Sequence, residues 1–351
     1  NGGVINVTGE LDTKGGSKIT GDVAVTGDYN VNGTTYISGT LTPKGNVNFG
    51  LDGEEKGAGY IFLNVDNPVD LKDATVNLIQ TDEYYKLNKG ETMTLITKAI
   101  NYMGDPEVWT REGVKKYLYS VGLDASSALM LGYLDQGVAD QTKSFSEARL
   151  AGSAAINSAS DLIAGQAIDS ASSSGSWEAF AAIQGNHSRY ETGSHIDLNS
   201  TNVAAGLSKK IKDNVTLGLF VEGGNGRYTT ENEFEDGNVR ADGDINYFGG
   251  GVFAKVEGKK TAKGQLHGEA SFRAGHMNSD YNSETFDEGE QTRFDTSNAY
   301  LGAHLGLGYK WALKDNSNID TYVKYLWNRQ NSDSPVIDGE QFDLDAINSH
   351  R

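Results

Sequence analysis

The sequence predicts an all-β chain with three successive parts: an N-terminal β-solenoid stalk, a linker α-helix and a transmembrane antiparallel β-barrel. Three observations predict it. Glycine recurs every six residues at the N-terminus. An alanine-rich, proline-free stretch lies near the middle. Segments of about ten residues then alternate in polarity to the end of the chain, the length and pattern of a tilted membrane strand.

Gly3, Gly9, Gly15, Gly21, Gly27, Gly33, Gly39 and Gly45 keep the six-residue spacing. Gly21-Asp-Val-Ala-Val-Thr26 and Gly27-Asp-Tyr-Asn-Val-Asn32 show the common filling, polar and apolar in turn. Period-two alternation indicates strand, and glycine punctuates it with turns. A short strand-turn unit buries its apolar face only by stacking on copies of itself, so residues 1–50 are expected to form a solenoid. A meander of short hairpins is the competing reading. Hexapeptide repeats also build acyltransferase solenoids with a catalytic histidine, but residues 1–175 contain no histidine. Residues 51–142 are expected to cap the stack, with strands at Ala74–Ile79 and Thr92–Thr97.

Residues 143–175 change character. The run from Ser144 to Ile168 reads as a helix, with Ser144 or Ser146 as its cap and Glu147 in its first turn. About thirty residues span roughly 45 Å, enough to cross a bilayer core. Glu147, Arg149, Asn157 and Asp161 are too polar for lipid. Ala151, Gly152, Ser153, Ala154 and Ala155 keep the helix narrow, so it fits inside a water-lined tube. An ordinary buried helix, or a helical hairpin with Glu107–Leu134, is the alternative. Ala171–Ser176 is expected to be a flexible tail.

Residues 176–351 form the expected barrel. Eight strands are predicted, near 177–187, 202–211, 214–224, 246–256, 265–275, 298–311, 319–328 and 341–351. In Val215–Gly223, Val215, Leu217, Leu219 and Val221 face one way, while Thr216 and Glu222 face the other. His267, Glu269 and Arg273 share one face of the next clear segment. His304 lies on the glycine-rich face of another, and Asp320 and Lys324 pair on a fourth. These eight residues are the predicted lumen. The face of the first strand stays ambiguous. Tyr309, Trp311, Tyr325 and Trp327 sit where aromatic girdles belong. Lys212-Asp213 reads as a tight turn, and Thr229–Asp244 and Met277–Thr296 as long acidic loops.

Composition sets limits. Net charge is −18, which disfavours nucleic acid as a partner. Hydrophobic residues make up 37% and mean hydropathy is −0.49, too polar for a helical membrane protein but not for a barrel. Glycine is abundant (44) and proline scarce (4), which favours tight-turned β structure over a proline-rich stalk. There is no cysteine, which suits a chain threaded unfolded through a narrow pore. Asn1-Gly2-Gly3 opens the chain without a signal peptide, as in a fragment.

Ser146-Glu-Ala-Arg-Leu-Ala-Gly152 and Ser160-Asp-Leu-Ile-Ala-Gly165 resemble the linker of autotransporter β-domains. Ser188-Arg-Tyr-Glu-Thr-Gly-Ser194, Tyr247-Phe-Gly-Gly-Gly251, Ala303-His-Leu-Gly-Leu-Gly-Tyr309, Val323-Lys-Tyr-Leu-Trp327 and Asp345-Ala-Ile-Asn-Ser-His-Arg351 resemble its barrel. The resemblance implies a twelve-stranded barrel plugged by the helix, with an exported β-helical passenger, such as an adhesin, on the cell surface. With about eight strands, the chain is expected to be incomplete at its C-terminus. The implied partners are outer-membrane lipid, the barrel assembly machinery and a surface or host ligand of the passenger. No cofactor or metal is implied. Some relatives cut the linker at paired asparagines, but Ile156 and Ser158 flank Asn157 here. The competing functions are an outer-membrane enzyme, such as a protease or acyltransferase, and a plain porin-like channel. The six histidines are scattered and no nucleophile or metal motif accompanies them.

Overall fold

The six-residue period builds a coil with three strands to each turn. The computed structural model describes all residues except 1–3, 54–55, 81–86, 172–175, 235–236, 288–289, 314–316 and 338. Gly3 and most of the serine-rich tail therefore lie outside the described residues. The chain divides into two units, Asn1–Ala139 and Asp140–Arg351.

In the first unit, β1 (Val4–Val7), β2 (Leu11–Thr13), β3 (Ser17–Ile19), β4 (Asp22–Val25), β5 (Tyr29–Val31), β6 (Thr35–Ile37), β7 (Leu41–Pro43) and β8 (Asn46–Gly50) follow one another around three faces. From β1 to β5, each pairs in parallel with the strand three hexads further on. Val4 lies beside Asp22, Leu11 beside Tyr29 and Ser17 beside Thr35. Val23, Val25, Tyr29, Val31, Ile37, Val47 and Phe49 fill the interior. The glycines mark corners that stack closely. A Cβ on Gly27 would lie 2.0 Å from the carbonyl oxygen of Gly9, and one on Gly45 would lie 2.3 Å from that of Gly27. Asn30, Asn48 and Asn77 form an amide ladder, with Nδ2–Oδ1 distances of 2.7 and 2.9 Å.

The coil loosens after Gly50. β9 (Ile61–Val65), β10 (Val69–Asp70), β11 (Thr75–Ile79), β12 (Thr92–Ile96) and β13 (Ala99–Ile100) still pair in parallel with earlier faces or with each other. Then β14 (Glu107–Glu112), β15 (Lys115–Leu123) and β16 (Leu129–Val138) form an antiparallel meander, and β16 adds antiparallel to β12. This rules out the alternative reading of Glu107–Leu134 as part of a helical hairpin. Tyr119, Val121, Leu129 and Leu131 alternate at period two and are buried in the same core. A helix would have placed them on different sides.

In the second unit a single turn at Asp140–Thr142 leads into α1 (Lys143–Leu162), a π-turn at Ile163–Ala167 and α2 (Ile168–Ser170). Neither Ser144 nor Ser146 caps the helix. The N-cap is Thr142, without a side-chain cap, and the Ser144 hydroxyl donates to Gln141 O at 2.8 Å. Glu147 lies beyond the first turn, and its carboxylate is used elsewhere.

An antiparallel sheet follows, with neighbours in chain order: β17 (Glu178–Glu191), β18 (His195–Lys212), β19 (Val215–Phe234), β20 (Gly237–Glu257), β21 (Gly264–Asp287), β22 (Glu290–Ala312) and β23 (Asn318–Gln330). A small hairpin, β24 (Val336–Ile337) and β25 (Glu340–Gln341), intervenes before β26 (Ile347–His350) closes the order beside β23. β17 and β26 are the edges of this eight-stranded sheet. Two expectations are corrected here. The described residues of the acidic segments 229–244 and 277–296 belong not to long loops but to the far halves of strands, because the ladder continues through Thr229↔Asp242 and Asp280↔Asp295. The last strand is also short, spanning four residues instead of 341–351.

Strand alternation settles the two faces. Ile183, Leu207, Leu217, Leu219, Val221, Val252, Phe272, Leu305 and Leu307 are exposed, and Phe180, Phe220, Phe253 and Tyr300 are buried. The first strand thus turns Phe180 inward. From Phe248 to Val256 the outward residues of β20 are apolar or glycine, about eight residues or roughly 27 Å along the strand. Tilted, this matches a membrane-crossing apolar band.

Gly27→Ala is expected to destabilise the first unit by about 2 kcal/mol through the Gly9 clash. Gly9→Ala meets open space and is expected to be nearly neutral. Denaturation of the two variants followed by limited proteolysis of the N-terminal unit checks this. A second expectation concerns Tyr29, whose phenol is pushed up to about 12 by burial, from 10.0. Folding therefore holds this proton. The contribution is complete below pH 10 and is lost as pH rises towards 12, on the order of 2 kcal/mol. Tyr29→Phe should lose correspondingly less stability across that window in an alkaline titration.

Candidate functional site

The inner face of the sheet holds the helix. α1 touches β17, β18, β19, β20, β21, β23 and β26. Its small residues Ala151, Ala154, Ala155 and Ala159 are buried. Gly152 faces the end of Met277, 2.7 Å from where a Cβ would sit. A narrow helix lets long side chains from the wall reach its backbone.

Arg273 is the centre of this contact. It is 2% exposed and Glu222 is 3% exposed. Arg273 Nη1 donates to Glu222 Oε2 at 2.6 Å. Nη2 donates to the main-chain oxygen of Ile156 and to Ser160 Oγ, both at 2.6 Å, and to Asn328 Oδ1 at 2.9 Å. Tyr300 places its ring under the guanidinium, 5.4 Å from the centroid, and its hydroxyl donates to Glu222 Oε1 at 2.8 Å. A guanidinium cannot shed its charge, so a buried one needs such a set of acceptors. Space for it comes from Gly302, where a Cβ would sit 2.6 Å from Arg273 Nε.

The four polar helix residues singled out in the sequence each have partners. Glu147 accepts from Thr192 Oγ1, Ser194 Oγ and Asn232 Nδ2 at 2.5–2.6 Å, and Lys143 lies 3.2 Å away. Arg149 Nη2 donates to the carbonyls of Asn331 and Asp345, both at 2.8 Å. Asn157 Oδ1 accepts from Asn328 Nδ2 at 2.8 Å, and Asp161 pairs with Arg351 at 2.8 Å. Further along, Lys324 pairs with Glu269 at 2.6 Å and also donates to the carbonyl of Ala164 within the π-turn. His304 lies between Ser271 (2.5 Å) and Glu269 (3.3 Å). Ser271, His304 and Glu269 have the order of a hydrolase relay. Here the carboxylate also engages Lys324, and the chain of contacts ends on the helix backbone. His267 meets Asp320 at 2.7 Å, and Thr216 is buried on the inner face.

The sequence reading missed an aromatic cluster. Phe145, fully buried at the start of α1, packs against Tyr281, Phe286, Phe294 and Phe342 with centroids 4.8–5.5 Å apart. Three of these rings lie on the strand halves taken for loops.

No helix among the described residues is long and apolar enough to cross a membrane. The family model described as autotransporter beta-domain matches residues 170–347, just over half of the chain. The chain belongs to the autotransporter β-domain family. Among solved structures it is similar to the translocator domain of autotransporter NalP from Neisseria meningitidis, with 12% identity, 59% of this chain and 67% of that chain covered, and a TM-score of 0.40. A second comparison, with the membrane pore complex of pneumolysin, has 11% identity, coverage of 70% and 72%, and a TM-score of 0.07. No curated protein matches. Membership makes residues 170–347 an outer-membrane translocator domain that supports passenger export.

Arg273→Leu is expected to strand Glu222 in the interior and loosen the helix by about 3 kcal/mol. Amide exchange at Ile156–Ser160 should speed up about a hundredfold. The double change Arg273→Leu/Glu222→Leu removes both charges and should exchange more slowly than the single variant.

Proposed function

We propose that the autotransporter β-domain exports the N-terminal unit and keeps it anchored at the cell surface, with α1 left in the lumen as the tether. The observation that carries this is the helix seat. One helix, continuous in sequence with the solenoid, is hydrogen-bonded to the wall from Glu147 to Ala164. A channel for free solutes has no use for a backbone bonded into its bore, which disfavours the porin-like reading. The solenoid supplies a second support. Its folding needs nothing but stacking of one hexad turn on the last, so folding beyond the pore can draw the chain outward. A surface adhesin is the use that best fits a long repetitive stalk. Barrel assembly machinery, outer-membrane lipid and a ligand of the stalk are the partners this role requires.

Protease shaving of intact cells producing the full-length protein tests the proposal, with antibodies to residues 23–49 and to the strands. Digestion of the stalk with survival of a heat-modifiable membrane fragment is the expected result. A stalk protected until the cells are broken would refute display.

A further inference from the structure

The outer face of the sheet changes chemistry at its two rims. Strand register lets outward residues be followed in rows across neighbouring strands. At the rim of short turns the outward groups include Trp177 and Trp311, both exposed. This is the amphipathic aromatic border expected at a membrane interface. The apolar belt ends at the other rim with the row Ile183, Val203, Gly223, Phe248, His276 and Ala299. The next outward row is Gly185, Thr201, Asn225, Asn246, Asn278 and Ser297. All six are exposed. No aromatic group stands in it. Amides and hydroxyls occupy the level where a bilayer's apolar core gives way to headgroups.

The first four members of that row, with Asn199, Arg227 and Asp244 from the row beyond, line a concavity of about 590 Å³. Thr201, Asn225 and Asn246 make no side-chain hydrogen bond to another described residue. Arg227 pairs with Asp244 through Nε at 2.9 Å, and its side chain is 84% exposed. Planar amides beside a hydroxyl and an exposed guanidinium suit vicinal sugar hydroxyls and an attached phosphate.

We propose that this row is a docking surface for the phosphorylated sugar headgroup of a glycolipid in the adjoining leaflet. The occupant follows from continuity with the membrane belt, since a headgroup whose acyl chains lie along Val203, Val221 and Phe248 places its sugars at Thr201, Asn225 and Asn246. The assignment to the outer leaflet rests on the display reading above, which turns this rim outward.

The test uses the full chain folded in nonionic detergent and native mass spectrometry. The probes are purified rough-type lipopolysaccharide and phosphatidylglycerol at equal concentration. Glycolipid adducts should exceed phosphatidylglycerol adducts at least about tenfold, the effect of one or two net hydrogen bonds. Thr201→Ala/Asn225→Ala/Asn246→Ala should abolish the excess while heat-modifiability persists. Equal adducts for the two lipids on the parent protein overturn the proposal, whether or not the variant folds. So does an unchanged excess in the folded variant. Full displacement by acyl-free core oligosaccharide at the same concentration also overturns it, because the site is then one for soluble glycan. The measurement is independent of cell topology. Selective binding together with a protease-protected stalk would refute surface display and leave the docking surface standing.

Discussion

A buried guanidinium holding a helix backbone is the interaction on which the second unit depends. A guanidinium carries five donors and no acceptor, so the interior around Arg273 must supply acceptors on several sides. Glu222, Asn328, Ser160 and the carbonyl of Ile156 do so. Three of these lie on the wall and in the side chains of α1, and one belongs to the helix main chain. Such a set exists only when helix and sheet are together. Either part alone would leave the charge or its counter-charge unmet, which is why the seat acts as one cooperative feature and not as a list of contacts.

Glycine serves both units by letting atoms approach, with different neighbours in each. In the coil it is backbone against backbone, as where Gly27 sits on Gly9. In the sheet it is backbone against a large side chain. Gly249 and Gly275 both face the Tyr300 hydroxyl, with a Cβ on either placed 2.3–2.4 Å from it. Tyr300 can then lie flat across two strands and leave the bore to the helix. A glycine content that looks like turn composition in the sequence is therefore largely a matter of internal clearance.

The parts legible in the sequence are those written as a period. The hexad spacing gave the stacked strands, and alternation in Val215–Gly223 and Leu266–Ala274 gave the correct inner and outer faces. The strand halves at 229–244 and 277–296 were misread as loops because their outward residues are charged or amide where a membrane strand would be apolar, as at Arg240, Asp242, Arg293 and Asp295. Only around Thr229–Asn232 is there no hydropathy contrast, with Thr230 and Asn232 pointing in and Thr229 and Glu231 pointing out. The helix seat was half legible. Polar residues on α1 announced an interior, polar surrounding. Their partners come from positions as far apart as Thr192, Asn328 and Asp345, and only the folded sheet joins them. The Phe145 cluster was hidden for the same reason as the strand halves that build it.

The three-strand turn makes the first unit a ruler graduated in eighteens. Each turn advances the stack by one inter-strand spacing, about 4.8 Å. Insertion or deletion of eighteen residues changes its length by one graduation and leaves every later strand on its own face. A change of six rotates all that follows by one face, so that β5-like residues would meet β6-like neighbours. The pairs β6–β9 and β8–β11 depart from this arithmetic, since Thr35 lies beside Leu63 and Asn46 beside Thr75, yet both keep parallel register. Length in such a stalk can drift by whole turns with little effect on its core, whereas single hexads are held in phase.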